Sequence, residues 1–193
     1  MLTTARLILR PWCEADLDPF VAMSADPLVM RHLLPLNRAG CAAWIERQQA
    51  HQREHEFCFW AVEIPGVARL AGAVGLYSVA PPMPCAPAVE IGWRLARDAW
   101  GQGYAAEAAR ASLDFGFARG LAEIVAFTRP ANERSWRLMQ RLGMRRDPGD
   151  DFEHPRLPPG HPMRPHILYR LSSRHWQNGH WPSAAGAGLA AGA

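Results

Sequence analysis

A mixed α/β fold around one central sheet is predicted for this chain of 193 residues. Three observations predict it: apolar runs of strand length bounded by Pro and Gly, longer segments with apolar residues at helical spacing, and their order along the chain. Helices come first, strands follow, and strands and helices then alternate before two closing strands, the pattern of layers packed on a sheet.

Arg6–Arg10 is a short apolar run stopped by Pro11, a first strand. From Cys13 to Ser24, Leu17, Phe20, Val21 and Ser24 recur at helical spacing, and Asp26-Pro27 predicts a second short helical piece, Pro being suited to a first helical position. Asn37 is a candidate cap for a helix reaching about Arg53, with Cys41, Trp44, Ile45 and Gln48 on one face. Phe57–Ile64, Arg69–Val79 and Val89–Leu95 read as strands, the second weakened by Gly72 and Gly75. They are separated by the turn at Pro65-Gly66 and by a loop, residues 81–87, whose four prolines cannot join a ladder. After Gly103 a helix aligns Ala105, Ala109, Leu113 and Phe117, with Glu107 elsewhere and an Arg110–Asp114 ion pair at i,i+4, and Gly120 ends it. Ile124–Thr128 is a buried strand, and Asn132 caps a helix that ends at Gly143. Met144–Phe152 and His166–Leu171 are the closing strands around a loop with five prolines. The domain is expected to span residues 1–172. Residues 173–193, rich in Ala and Gly, form a tail too poor in apolar side chains to order itself, although Trp176 and Trp181 are unusual there and are candidates to pack back on the domain.

The composition is that of an ordinary globular protein, 49% hydrophobic and 20% charged. A net charge of +3 is too weak to argue for nucleic acid. No apolar run approaches the roughly 18–20 residues of a membrane span, and the opening residues lack an apolar core of signal-peptide length. Cys13, Cys41, Cys58 and Cys85 form no C-x-x-C pair and no zinc spacing, so reduced thiols in a cytoplasmic protein are expected. His154, His161 and His166 fit no zinc pattern either, and no metal is expected.

The most informative stretch is Val89–Leu95 followed by Trp100-Gly101-Gln102-Gly103-Tyr104-Ala105. It reads as a strand, a glycine-rich loop and a helix start. Gly101 and Gly103 allow close backbone approach, and the helix adds unpaired N–H groups and the positive end of its dipole. Together these make a seat for a phosphate or pyrophosphate, with the carboxylate of Glu90 on the strand leading in. Gly101–Ala106 also satisfies the dinucleotide pattern G-x-G-x-x-A, and Glu123 lies at about the right distance. The context opposes that reading, because the unit opens late in the chain and Glu123 precedes its strand rather than ending it.

From Glu90 to Met144 the chain resembles the GNAT superfamily of acetyl-CoA-dependent N-acetyltransferases. Gly103 and Ala105 fill the last two places of its Arg/Gln-x-x-Gly-x-Gly/Ala loop, with Trp100 where Arg or Gln is usual. Asn132-Glu133-Arg134-Ser135 and Leu142-Gly143-Met144 are similar to its second signature. Thr4–Pro11 is similar to the branch that acetylates N-termini of ribosomal proteins. The resemblance implies an α/β (α+β) fold with a mostly antiparallel central sheet and helices on both faces. It also implies acetyl-CoA as co-substrate, an amine acceptor and direct attack in a ternary complex. On this reading Gly101, Gln102, Gly103, Tyr104 and Ala105 hold the pyrophosphate, while main-chain groups of Leu95, Ala96 and Arg97 pair with the pantetheine arm, and Asn132 hydrogen-bonds it. Glu90 is the candidate base; a structural carboxylate paired with Arg94 or Arg110 is the other reading. The family's tyrosine acid falls at Met139, whose thioether cannot donate a proton. Ser135 is the substitute, as a donor to the departing sulfur or as a cofactor contact, and Tyr169 is a second candidate.

The acceptor side is expected from residues 26–37 and 147–165, where Asp147, Asp150, Asp151 and Glu153 suggest a cationic amine. Trp60 and Trp93 read as core. A CoA-binding sensor or interaction module without efficient catalysis is the alternative function. The sequence leaves a homodimer undecided.

Overall fold

The computed structural model describes residues 1–179. Its elements are β1 (Leu2–Thr3), β2 (Ile8–Arg10), α1 (Leu17–Ala25), α2 (Arg38–His55), β3 (Phe59–Ile64), β4 (Ala68–Val79), β5 (Ala88–Leu95), α3 (Tyr104–Ala118), β6 (Glu123–Thr128), α4 (Glu133–Arg141), β7 (Arg145–Arg146), β8 (Phe152–Glu153), β9 (Pro165–Ser172) and α5 (Ser173–Asn178). The sheet runs β1-β2-β3-β4-β5-β6-β9-β7, and β8 also pairs with β9. Every pairing is antiparallel except β5 with β6.

Strand register fixes two faces, because side chains alternate across a strand. Phe59, Gly75 and Gly92 are in register, as are Tyr77 with Glu90 and Ala73 with Arg94. These residues share one face, reached by α1 and α2: Phe20 and Trp44 stack at 4.8 Å, and Trp44 lies parallel to Phe59 at 6.3 Å. The other face carries Trp60, Val74, Leu76, Ile91 and Ala126. Here α3 buries Ala109, Leu113 and Phe117, and Phe115 meets Trp60 edge-on. The α3 periodicity therefore marks the helix–sheet contact.

Asn37 caps α2, its Oδ1 accepting from the Gly40 N–H at 2.8 Å. The α2 face it orders is also tied to the sheet by polar bonds. Gln48 accepts from the Phe59 N–H at 3.0 Å. His51 accepts from the Ser78 N–H at Nε2 (3.0 Å), so its Nδ1 is the donor to the Phe57 carbonyl (2.7 Å).

Several expectations are corrected. Asp26-Pro27 starts no helix; the Asp26 carboxylate accepts from the Leu28 N–H at 2.8 Å, a side-chain turn that does not propagate. Met144–Phe152 is not one strand: Pro148 lacks an N–H and Asp147 accepts from the Gly149 N–H at 2.9 Å, so a turn separates β7 from β8. Arg110 and Asp114 form no ion pair; Asp114 accepts from the Trp176 indole at 2.7 Å. That bond belongs to a larger change. Trp176 is buried, 6.2 Å from Phe117, so the packed fold continues past residue 172 through α5. Trp181 and Ser183–Ala193 lie outside the described residues.

Candidate active site

The two parallel strands share one register position, Glu90 opposite Val125. Beyond it β5 continues to Leu95 along β4, and β6 continues to Thr128 along β9, with no further pairing to each other. Their facing edges therefore keep main-chain donors and acceptors that an extended chain can pair with. Glu90 stands at the vertex of this wedge.

At the open end of the wedge lies the glycine loop. Gly101 (φ 76°) and Gly103 (φ 80°) both adopt the left-handed conformation that disfavours side chains, and nothing approaches within 4 Å of a Cβ position on Gly101. The loop is held from below. Gln102 Nε2 donates to the Asp98 carbonyl at 2.8 Å, and the Trp100 indole donates to the Leu95 carbonyl at 2.9 Å. Arg6 donates to the Gln102 carbonyl at 3.0 Å and lies over the Tyr104 ring at 4.7 Å. Its Nε and Nη2 meet buried Glu107 at 2.7 and 2.6 Å, and Glu107 also accepts from the Thr4 hydroxyl at 2.7 Å. Arg6 and Glu107 belong to a predicted strand and a predicted helix; 101 positions apart, they leave no local signal of their contact. A second cation, Arg134 on α4, sits 4.7 Å over Trp100. Trp100 thus serves as a platform joining strand, loop and α4.

The expected pantetheine contacts are narrower than the sequence implies. The Ala96 N–H already donates to the Ala71 carbonyl at 2.8 Å, and the Leu95 carbonyl already accepts from Trp100. What remains is the second lone pair of Leu95 and the Arg97 N–H, which opens a short 3₁₀ turn and has no acceptor within it.

The Glu90 carboxylate makes no hydrogen bond or ion pair among the described residues, so the reading of it as a structural partner of Arg94 or Arg110 is not realised. Burial raises its pKa to about 8, opposed only by the charge of Arg156. A carboxyl poised near neutrality at the strand vertex can accept a proton.

Asn132 occupies the N-cap position of α4 without capping it; its Nδ2 donates to the Thr128 hydroxyl at 2.9 Å, at the end of β6. Ser135 is half-buried one turn into α4, and its hydroxyl has no partner among the described residues. Met139 is buried in the core. Tyr169 is not brought to the wedge. It pairs with Ala126 on the face opposite Glu90, is 4% exposed, and its hydroxyl accepts from Gln140 at 3.3 Å.

In the acidic loop Asp150 pairs with Arg170 at 2.6 Å, Asp151 with Arg146 and Glu153 with Arg164 at 3.4 Å, while Asp147 caps its own turn and pairs with no cation among the described residues. His154 and His166 lie 5.1 Å apart, with His166 stacked on Phe152. Burial lowers the pKa of both rings, and no cluster of metal-binding side chains occurs among the described residues. All four cysteines are free, and no helix among the described residues is long and apolar enough to cross a membrane.

Residues 6–145 match the acetyltransferase (GNAT) domain family. The chain is 32% identical over 148 residues to the uncharacterized protein YkkB of Bacillus subtilis, covering 74% of this chain and 84% of that protein. It is 26% identical over 182 residues to the uncharacterized N-acetyltransferase YnaD of the same organism, covering 91% and 98%. Among solved structures, an acetyltransferase from Agrobacterium tumefaciens superposes with a TM-score of 0.71 at 26% identity, over 88% of this chain and 92% of that one. A spermidine N-acetyltransferase from Vibrio cholerae, solved with CoA and spermine, shares the fold with a TM-score of 0.69 at 17% identity, over 90% and 99%. With the wedge, the glycine loop and the second signature in place, the chain belongs to the acetyltransferase (GNAT) family.

Proposed function

We propose that this protein transfers the acetyl group of acetyl-CoA to a primary amine, a peptide N-terminus or a small amine, by direct attack within a ternary complex. The observation that carries this reading is the position of Glu90, unpaired and with its pKa raised to about 8, at the one point where the parallel strands meet. Acetyl-CoA supplies the activated thioester. The loop amides from Gln102 to Ala105 hold its diphosphate, and Arg134, carried over Trp100, adds a cation beside them. The open strand edges and Asn132 receive the pantetheine arm. Glu90 takes the proton of the attacking amine, and the Ser135 hydroxyl donates to the departing sulfur. Tyr169, on the far face, has no part in this arrangement. The similarity of Thr4–Pro11 to the branch acting on ribosomal proteins makes a peptide N-terminus the first acceptor to try.

A thiol-release assay with acetyl-CoA against peptides, polyamines and aminoglycosides tests the proposal. Sustained release with any amine supports it. CoA binding with no release across the panel would instead indicate a CoA-binding module. In the same assay Ser135→Ala should lower turnover about 10-fold or more with little change in KM for acetyl-CoA. A raised KM at unchanged turnover would assign Ser135 to cofactor positioning.

The loop makes a separate prediction. Gly103→Val forces a branched residue into a left-handed position at a cost of about 1–2 kcal/mol and sets its Cβ against the Arg6 guanidinium that braces the loop, 3.4 Å away. Calorimetry should show CoA affinity reduced at least about 10-fold, the factor that roughly 1.4 kcal/mol represents. Unchanged affinity would move the diphosphate away from this loop.

A further inference from the structure

Arg94 is a largely covered cation on β5. It lies on the Glu90 face of β5, two alternations further along, with Gly92 between them. Its guanidinium is 4.7 Å over the Phe20 ring and 5.1 Å over Trp44. Among the described residues its one hydrogen-bond acceptor is the Met30 sulfur at 3.5 Å, a weak one. None of their carboxylates or carbonyls accepts from it. Arg10, which is likewise mostly covered, shows how this fold normally treats such a group: Asp16, Glu63 and the Arg69 carbonyl all accept from its guanidinium. Burial depresses the pKa of Arg94 to about 10, the response of a cation without an anion.

Between the two groups the Phe59 ring lies over Gly92, where a Cβ would come within 2.9 Å of it. Trp44, Phe59, Tyr77, Glu90, Gly92 and Arg94 are mostly covered but reach the surface in part, whereas Ala61, Ala73 and Gly75 on the same face are buried. A ligand lying between Glu90 and Arg94 would touch Phe59 and Trp44 along its length. Glu90 and Arg94 are roughly 13 Å apart along the strand, from a rise of about 3.3 Å per residue, and both side chains can reach inward. The segment carrying Met30 roofs the Arg94 end, and the 147–165 loop, with Arg156 near Glu90, borders the other. Asp150, Asp151 and Glu153 of that loop are already paired with arginines.

From this we infer that the acceptor amine also bears a carboxylate several bonds from its nitrogen, with the amine directed to Glu90 and the carboxylate to Arg94. The inference rests on the acetyl-transfer reading of Glu90. Its shared chemistry, an amine and a distant carboxylate, is found both in a free acidic amino acid and in a peptide with an acidic side chain at or next to its N-terminus.

Matched acceptors that differ only as carboxylate and amide test this: peptides beginning with Glu or Gln, free glutamate against glutamine, and spermidine as the cationic contrast. The expected kcat/KM is about 10- to 100-fold higher for the carboxylate member, the range of a hydrogen bond to a charged group. Arg94→Met should bring that ratio close to 1, and Arg94→Lys should keep part of it, which also guards against a variant that fails to fold. Calorimetric binding of the same pairs to the CoA-loaded protein gives a readout independent of turnover. Equal rates and equal binding within each pair, or a preference for spermidine, would overturn the inference while leaving acetyl transfer intact. Absence of transfer to every amine would overturn the acetyl-transfer reading instead, and the binding ratio would then decide the Arg94 assignment alone. Free glutamate matching the peptide would identify a small-molecule acceptor; activity only on the peptide would identify a protein N-terminus.

Discussion

Glu90→Gln should lower turnover at pH 7 by about 10²–10⁴-fold, the range of a lost general base. With a pKa near 8, only roughly a tenth of Glu90 is ionised at pH 7, so the wild-type rate should climb through pH 7–8 and level off above it. In the variant that limb should vanish. With an alkylamine acceptor, whose own deprotonation lies near 10 rather than near 8 as for a peptide N-terminus, the rate should then follow the amine, and the deficit should shrink as pH rises. A limb near pH 8 that survives the substitution with that acceptor would remove Glu90 from the role. Stability supplies an independent check. A carboxyl whose pKa rises from 4.5 to about 8 on folding keeps its proton in the folded state while the unfolded chain has released it. Stability from this group therefore falls as pH rises between those values. Glu90→Gln should melt higher than wild type at pH 8 and equally at pH 4, the signature of burial exchanged for function.

Asp16→Ala should cost about 3–5 kcal/mol, the largest expected loss of stability from one side chain here. Asp16 is 0% exposed and accepts from Arg10 Nη1 and Nη2 at 2.7 and 2.8 Å and from the Cys13 N–H at 2.9 Å. Burial pushes its carboxyl up, but the Arg10 and Cys13 bonds together outweigh burial and hold it below the usual value. Its contribution is therefore present above the unfolded pKa near 3.8 and lost as pH falls through the folded one. Without Asp16, Arg10 keeps Glu63 and the Arg69 carbonyl, but a buried part of its charge is uncompensated. Denaturant titration at pH 7 should show the loss, with Asp16→Asn separating charge from shape. A loss under about 1 kcal/mol would mean the pair acts as an exposed one.

Local chemistry made much of the fold legible. The α3 stripe of Ala109, Leu113 and Phe117, the Asn37 cap and the proline breaks each act within a few residues, so they can be read from spacing. Two failures share one cause. Asp26-Pro27 and Met144–Phe152 carry plausible propensities, but the side chains of Asp26 and Asp147 take up backbone N–H groups and close turns instead. The α3 surface failed differently: Arg110–Asp114 has helical spacing, yet Trp176 captures Asp114 from 62 positions away.

The sequence by itself determined the family, the glycine loop, and Glu90 as the carboxylate leading into it, because these depend on residue types at short, fixed spacing. Only the tertiary structure decided that Arg6 and Glu107 brace the loop, that Tyr169 faces away, that Asp150, Asp151 and Glu153 are already paired, and that Arg94 has no anion among the described residues. Each of those outcomes depends on which distant side chain arrives first at a charged group. Sheet register and helix packing set that, and local spacing does not encode it.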